Sequence, residues 1–261
     1  MAAFATEKKE LFELLDSDAR ARLAKLGVAQ GTTALTTALE SSILSLDWPE
    51  LEHVLPDHGL PRGVVEIASP ITKQGAMRGG ATTISLSAVR AVHASDPHAW
   101  CAWVTEANAS PLYAPAVAQA GVDLDRLLVV RPQSADLART VVKIASSGAF
   151  DLVVVDAPAG LDGRLSLSSY SSAHSPNSPS PRARGGAGRV DGSVVVRKLA
   201  LAAEEKGTTF IILPSVFTSR SVPWPVALRI EVERRPEAIA VRVTKDRRGR
   251  ASSQHVVRLA C

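Results

Sequence analysis

Residues 75–82 read Gly75-Ala76-Met77-Arg78-Gly79-Gly80-Ala81-Thr82, the spacing of a phosphate-binding loop, G-x-x-x-x-G-K-[ST], with alanine at the lysine position. Such a loop joins a strand to a helix. Its backbone N–H groups and the helix N-terminus cradle phosphate oxygens, while the lysine neutralises charge on the transferred group. Ala81 has neither charge nor reach. The flanking residues supply the frame that the spacing requires. Val64-Val65-Glu66-Ile67-Ala68 is a strand by composition, and the chain from Thr82 to about His93 reads as a helix.

Further along, apolar β-branched runs alternate with helical segments. Trp100 to Thr105 is followed by a helix around Leu112 to Ala120. Leu127-Leu128-Val129-Val130 precedes a helix from Ala135 to Ser146, and Leu152-Val153-Val154-Val155 is a fourth strand ending on Asp156. A helix at Val194 to Lys206 then leads into Phe210-Ile211-Ile212-Leu213. Continuous rather than alternating apolar strands, separated by helices, imply a parallel sheet covered on both faces. The closing runs, Val226 to Val232, Ala238 to Val243 and Gln254 to Leu259, are strands joined by turns and are expected to extend the sheet in antiparallel fashion.

Two segments stand outside this pattern. Leu11, Leu15, Ala19, Leu23 and Leu26 recur at the period of one helix face, so residues 1–55 are read as an N-terminal helical segment and connector, and 56–261 as the core. Within the core, residues 164–193 are dominated by Ser, Pro, Gly and Arg. That composition buries too little apolar surface to offset the entropy of ordering, and a disordered insertion is expected.

Composition closes off several functions. The chain has 261 residues, 46% of them hydrophobic and 21% charged, which suits a folded domain with a sizeable core. No apolar run approaches the ~18 residues of a membrane span, and the Lys/Glu-rich start lacks the apolar stretch of a secretory signal. Two distant cysteines suit a reducing compartment, so a cytoplasmic location is expected. Aromatic residues make up 4% of the chain, too few for a base-stacking platform. The histidines show no metal-ligand spacing, and no nucleophile motif is present.

The residues that could carry chemistry lie at strand ends. Asp156 closes an apolar strand, where a Mg²⁺-organising carboxylate would stand, and Glu106 follows another, where a carboxylate could activate water. Both would lie at the carboxyl edge of a parallel sheet, where open α/β proteins place their sites. The alternative roles are local: Asp156 as the cap of a turn, Glu106 as a surface residue. Near the C-terminus Lys245, Arg247, Arg248 and Arg250 cluster around a turn, a candidate contact for nucleic acid or for an acidic partner, or a solvated face.

The order of these motifs resembles one family. Arg62-Gly63-Val64-Val65-Glu66-Ile67 is similar to the strand before the phosphate loop of RecA recombinases, as are Tyr113-Ala114 and Ala120-Gly121-Val122-Asp123-Leu124-Asp125-Arg126-Leu127-Leu128. The run Ser147-Gly148-Ala149-Phe150-Asp151-Leu152-Val153-Val154-Val155-Asp156 resembles the same family's Walker B strand. The resemblance implies an α/β, RecA-like core: a mainly parallel sheet with helices on both faces and C-terminal antiparallel strands. Gly75, Gly80, Thr82, Asp156 and Glu106 would then form a vestigial, non-functional nucleotide site.

The departures narrow the resemblance. Ala81 replaces the lysine, and Ala68 to Gln74 lengthens the approach to Gly75. Lys73 and Arg78 lie on that long loop, where a point charge is poorly positioned. After Leu213 the chain runs quickly through Pro214-Ser215-Val216-Phe217 to Pro223-Trp224-Pro225, with no counterpart of the family's second DNA-binding loop. A RecA-like core so altered resembles the ImuA-type proteins of bacterial mutagenic translesion synthesis. That resemblance implies a non-catalytic accessory protein of the SOS response, needing no cofactor. Its implied partners are RecA, a Y-family polymerase-like adaptor of the ImuB type and an error-prone replicative-type polymerase, with weak or no direct DNA binding. The Leu11, Leu15 and Leu23 face would be a partner-binding helix or would pack on its own domain. A SulA-type cell-division inhibitor and a DNA-binding ATPase or recombinase are the alternatives.

Overall fold

A computed structural model of the protein describes residues 43–69, 79–157, 161, 192–214 and 225–259. The Leu11, Leu15 and Leu23 face, Gly75 and nearly all of the 164–193 insertion lie outside the described residues. The chain divides into two units, 1–43 and 44–261, and the second holds the central sheet.

Its apolar runs form β1 (Val64–Ala68), β2 (Cys101–Thr105), β3 (Leu127–Val130), β4 (Leu152–Ala157) and β5 (Thr209–Pro214). The segments around them form α1 (Pro49–Val54), α2 (Gly79–Ser95), α3 (Ala114–Gln119), α4 (Leu137–Ser147) and α5 (Gly192–Lys206). The last runs form β6 (Leu228–Arg234), β7 (Ala238–Asp246) and β8 (His255–Arg258). All eight strands join one sheet in the order β8-β7-β6-β1-β5-β4-β2-β3.

The five strands of the alternating region are parallel, as their two-sided apolar character requires. The expectation for the closing strands is corrected in one respect. β6 lies parallel to β1, with Val65 opposite Leu228 and Ile67 opposite Ile230, and only β7 and β8 run antiparallel. β6 does not form a hairpin with β5. It lies on the far side of β1 from β5, so the two strands are not direct neighbours in the sheet. The tight turn between β6 and β7, closed by Arg235 N–H donating to the Ala238 carbonyl, enforces the antiparallel pair.

Alternate residues of the central strands feed two cores. Val65, Ile67, Trp103, Val154 and Ile211 face α2 with Ile84, Val89 and Val92, while Val64, Val104, Val153, Val155, Phe210 and Ile212 face α4 and α5 with Val141, Val195 and Leu199. Burial of this kind contributes about 1.5–3 kcal/mol per large apolar side chain. Leu46, Trp48, Leu51 and Leu55 are buried in the first core, and the Trp48 indole N–H donates to the Arg258 carbonyl at 3.1 Å. Apolar residues of the segment read as a connector thus contribute to the first core. Cys101 is fully buried, which pushes its thiol up to about 12 and leaves it unreactive.

Gly80, in the first turn of α2, is held by packing. A Cβ there would lie 2.6 Å from Val232 Cγ1 of β6, a fully buried side chain with no room to retreat. Alanine in a helix gains about 1 kcal/mol over glycine, but overpacking a rigid core costs about 1–3 kcal/mol. Gly80→Ala should therefore be destabilised by up to about 2 kcal/mol in urea denaturation, and a raised midpoint would show that α2 can lift from the sheet.

Candidate functional site

The carboxyl ends of the parallel strands open into a cavity of about 750 Å³. Thr82 from α2, Trp103 from β2, Asp156 from β4, and Glu106, Asn108 and Tyr113 from the chain after β2 line it. Three of the residues singled out in the sequence, Thr82, Glu106 and Asp156, thus face one space. The register explains why: Thr105 pairs with Asp156 across β2 and β4, so Glu106 leaves the sheet one residue beyond its neighbour's carboxylate. Asp156 is half-buried and lies inside β4, which continues to Ala157.

Glu106 is buried rather than on the surface. The Ser134 hydroxyl donates to its Oε2 at 2.6 Å, which fixes the carboxylate's direction. The segment after it is tied down as well. Ala107 N–H donates to the Pro132 carbonyl at 2.8 Å, and the Arg131 guanidinium donates to the Ala107 and Ala109 carbonyls at 2.6 and 2.8 Å. Ser134 and Arg131 are site-forming residues that sequence reading missed. They follow β3, whose pairing with β2 brings them to Glu106, and no local pattern in the chain marks them.

The phosphate-loop position is different in character. Ala81 is buried among the apolar residues of the α2 side, and its carbonyl accepts from the Ser85 hydroxyl at 2.9 Å. Between Ile67, Ser69, Ala81, Thr82, Asp156 and Leu213 the protein leaves a cavity of about 10 Å³, roughly what one water needs. The Ser69 hydroxyl is buried there without a hydrogen-bond partner. A lysine at position 81 would have to enter this narrow space or displace its lining. The oxygen donors Thr82 and Asp156 fit the demands of a hard cation, whereas the side chain at position 81 is an uncharged methyl group.

The basic tail is largely engaged within the protein. Arg250 donates from both terminal nitrogens to Asp57 at 2.9 Å, from Nε to Asp246 at 2.8 Å and to the Pro56 carbonyl at 2.9 Å. Arg248 also reaches Asp57, at 3.1 Å. The guanidinium of Arg250 holds the Asp57 carboxyl below the usual carboxylate range, outweighing the opposing effect of burial. Arg250 is therefore a structural clamp and not a free cation for nucleic acid or an acidic partner, and Arg248 is partly committed. Asp57 lies nearly two hundred residues away in the chain, so the local sequence does not reveal this clamp. Arg247 remains exposed and Lys245 half-buried.

Comparison with known proteins agrees with this architecture. Residues 22–182, more than half of the chain, match the model of the RecA N-terminal domain. The chain belongs to this family. Protein RecA of Rhodospirillum centenum is 37% identical over 149 residues, which are 55% of this chain and 36% of that one. Protein RecA of Deinococcus radiodurans is 33% identical over 132 residues, 49% of this chain and 33% of that one. The chloroplastic DNA repair protein recA homolog 1 of Arabidopsis thaliana is 31% identical over 158 residues, 59% and 32%. The chain thus spans about a third of the length of these relatives. The RadB recombinase structure superposes with a TM-score of 0.54 at 14% identity, covering 84% of this chain and 96% of that one, a likeness of fold alone. The RecA-like core carries the cavity at the edge where its Thr82, Glu106 and Asp156 meet. Among the described residues no helix is long and apolar enough to cross a membrane, and no group of His, Cys, Asp or Glu could hold a metal ion unaided.

Proposed function

We propose that this protein is a non-catalytic, RecA-like accessory protein of the ImuA type, acting in SOS-induced, error-prone translesion synthesis. In this reading it binds RecA and a Y-family polymerase-like adaptor that works with an error-prone replicative-type polymerase. One observation carries the reading: Ala81, at the position where a phosphate-neutralising lysine would stand, is packed into the apolar core, next to a cavity lined by Glu106 and Asp156. A fold that retains a protomer's shape without that charge is suited to present surfaces rather than to turn over nucleotide. The whole-length activities of the RecA proteins it resembles would need parts of them that the match does not cover.

The deciding experiment is recovery of the tagged chain from its native cell after DNA damage. Co-purification of RecA and a Y-family polymerase-like protein is the expected result. Recovery of the tubulin-like division protein without either would favour a SulA-type inhibitor instead.

The retained Glu106–Ser134 pair supports a second reading, a DNA-binding ATPase. Ala81→Lys separates the two. With only about 10 Å³ beside it, the lysine should lower stability by about 1–3 kcal/mol through overpacking and leave ATP hydrolysis at background in a phosphate-release assay. Hydrolysis by the unaltered chain, abolished by Asp156→Asn, would establish the ATPase reading and overturn the non-catalytic one.

A further inference from the structure

On the face of the sheet opposite α2, helices α4 and α5 leave between them a groove of about 260 Å³. Its floor is apolar, formed by Ala138, Val142, Val194 and Val195. Val194 is 48% exposed and Leu201, two turns further along α5 on the same side, is 61% exposed, so the apolar strip continues beyond the groove. Arg139, Lys143 and Lys198 stand along its rim, all exposed, and none of them makes an ion pair or hydrogen bond among the described residues. Acidic side chains are absent from α4, and those of α5 lie at its far end, where Glu205 is paired with Lys206. Asp136, just before α4, makes no ion pair with Arg139.

We propose that this groove is a docking site for a short segment of a partner protein, which inserts a large apolar side chain between α4 and α5 and sets carboxylates against Arg139, Lys143 and Lys198. The charge arrangement selects the occupant. Three cations without partners among the described residues, around an apolar floor, complement an acidic segment and repel a basic one, and the recessed floor takes a side chain of leucine or phenylalanine size as an anchor. A lipid surface fits less well, because membrane-seated helices present a protruding apolar face rather than a recess. The proposal is independent of whether the nucleotide site is active, since the groove lies on the other side of the sheet.

The test is selection of displayed random short peptides against the full chain, followed by fluorescence anisotropy with an enriched peptide. Enriched peptides should carry a large apolar residue with Asp or Glu within a helical turn or two. Their affinity should fall by about tenfold or more with Val194→Asp, and with Arg139→Glu plus Lys143→Glu, while the thermal midpoint stays unchanged because these side chains are exposed. The basic-to-acidic pair should lose affinity for acidic peptides and gain none for neutral ones. Any of four outcomes would overturn the proposal: no enrichment, enrichment of peptides indifferent to these substitutions, binding to phosphatidylserine vesicles in place of peptide, or a concentration-dependent dimer that Val194→Asp dissolves.

Discussion

Phe210→Ala should lower the stability of the RecA-like core by about 3–5 kcal/mol, the usual cost of deleting a buried aromatic ring. Phe210 is fully buried in β5, opposite Val64 on one side and Val153 on the other, and its ring fills the core beneath α4 and α5. The loss has two parts: the transfer free energy of the ring, and the cavity it leaves. Strands hydrogen-bonded on both sides cannot close in to fill that cavity. For a domain of this size the expected fall in melting temperature is roughly 6–20 °C. Leu128→Ala is the internal control. It lies on the edge strand β3, is 44% exposed, and should cost under about 1 kcal/mol. A Phe210 effect no larger than the Leu128 effect would mean that this core is not packed as described. Because α4 and α5 rest on the same core, Phe210→Ala should also weaken peptide capture by their groove, indirectly and in proportion to unfolding.

Arg250→Ala should be the most damaging change of a charged residue, by about 2–3 kcal/mol. Removing one partner of a buried ion pair costs about 3–5 kcal/mol because the remaining charge is stranded. The lower figure reflects the 34% exposure of the Arg250 side chain and the contact that Arg248 keeps with Asp57. Asp246, with its side chain only 5% exposed, would lose its principal counter-charge. The substitution should also change the response to acid. Hydrogen bonding from Arg250 depresses the Asp57 carboxyl in the folded protein, so the unfolded chain takes up the proton first as pH falls. The stabilisation from this pair is complete above the unfolded value of about 3.9 and disappears as pH drops through the folded value. Urea midpoints of the unaltered protein should therefore decline between about pH 5 and pH 3 more steeply than those of Arg250→Ala. Parallel profiles would show that the pair contributes no linkage. Since the clamp joins the turn before β1 to the turn after β7, its loss should loosen the β7 end of the sheet first, visible as faster amide exchange there.

For function, the contrast between the two ends of the site matters most. Glu106, Asp156 and Thr82 share one cavity with Ser134 orienting the glutamate, while Ala81 is sealed into the core. The arrangement suits the proposed accessory role, in which the RecA-like body works by contact. In the docking proposal, the cations along the α4–α5 groove are where such contacts would form.

The sequence by itself determined the order of strands and helices, because a continuous apolar run can be satisfied only by cover on both faces, and the Gly-x-x-x-x-Gly spacing marks a strand-to-helix turn. It also determined that position 81 is uncharged, and it pointed to Glu106 and Asp156 from their places at strand ends. The tertiary structure alone decided the direction of β6, the entry of Leu46 to Leu55 into the core, the bond from Ser134 to Glu106, and the engagement of Arg250 by Asp57. Each of these depends on residues distant in the chain being brought together by strand pairing. Local composition records what a residue prefers to contact; which partner it meets is set by the sheet's register and crossover connections, and these form only when the chain folds as a whole.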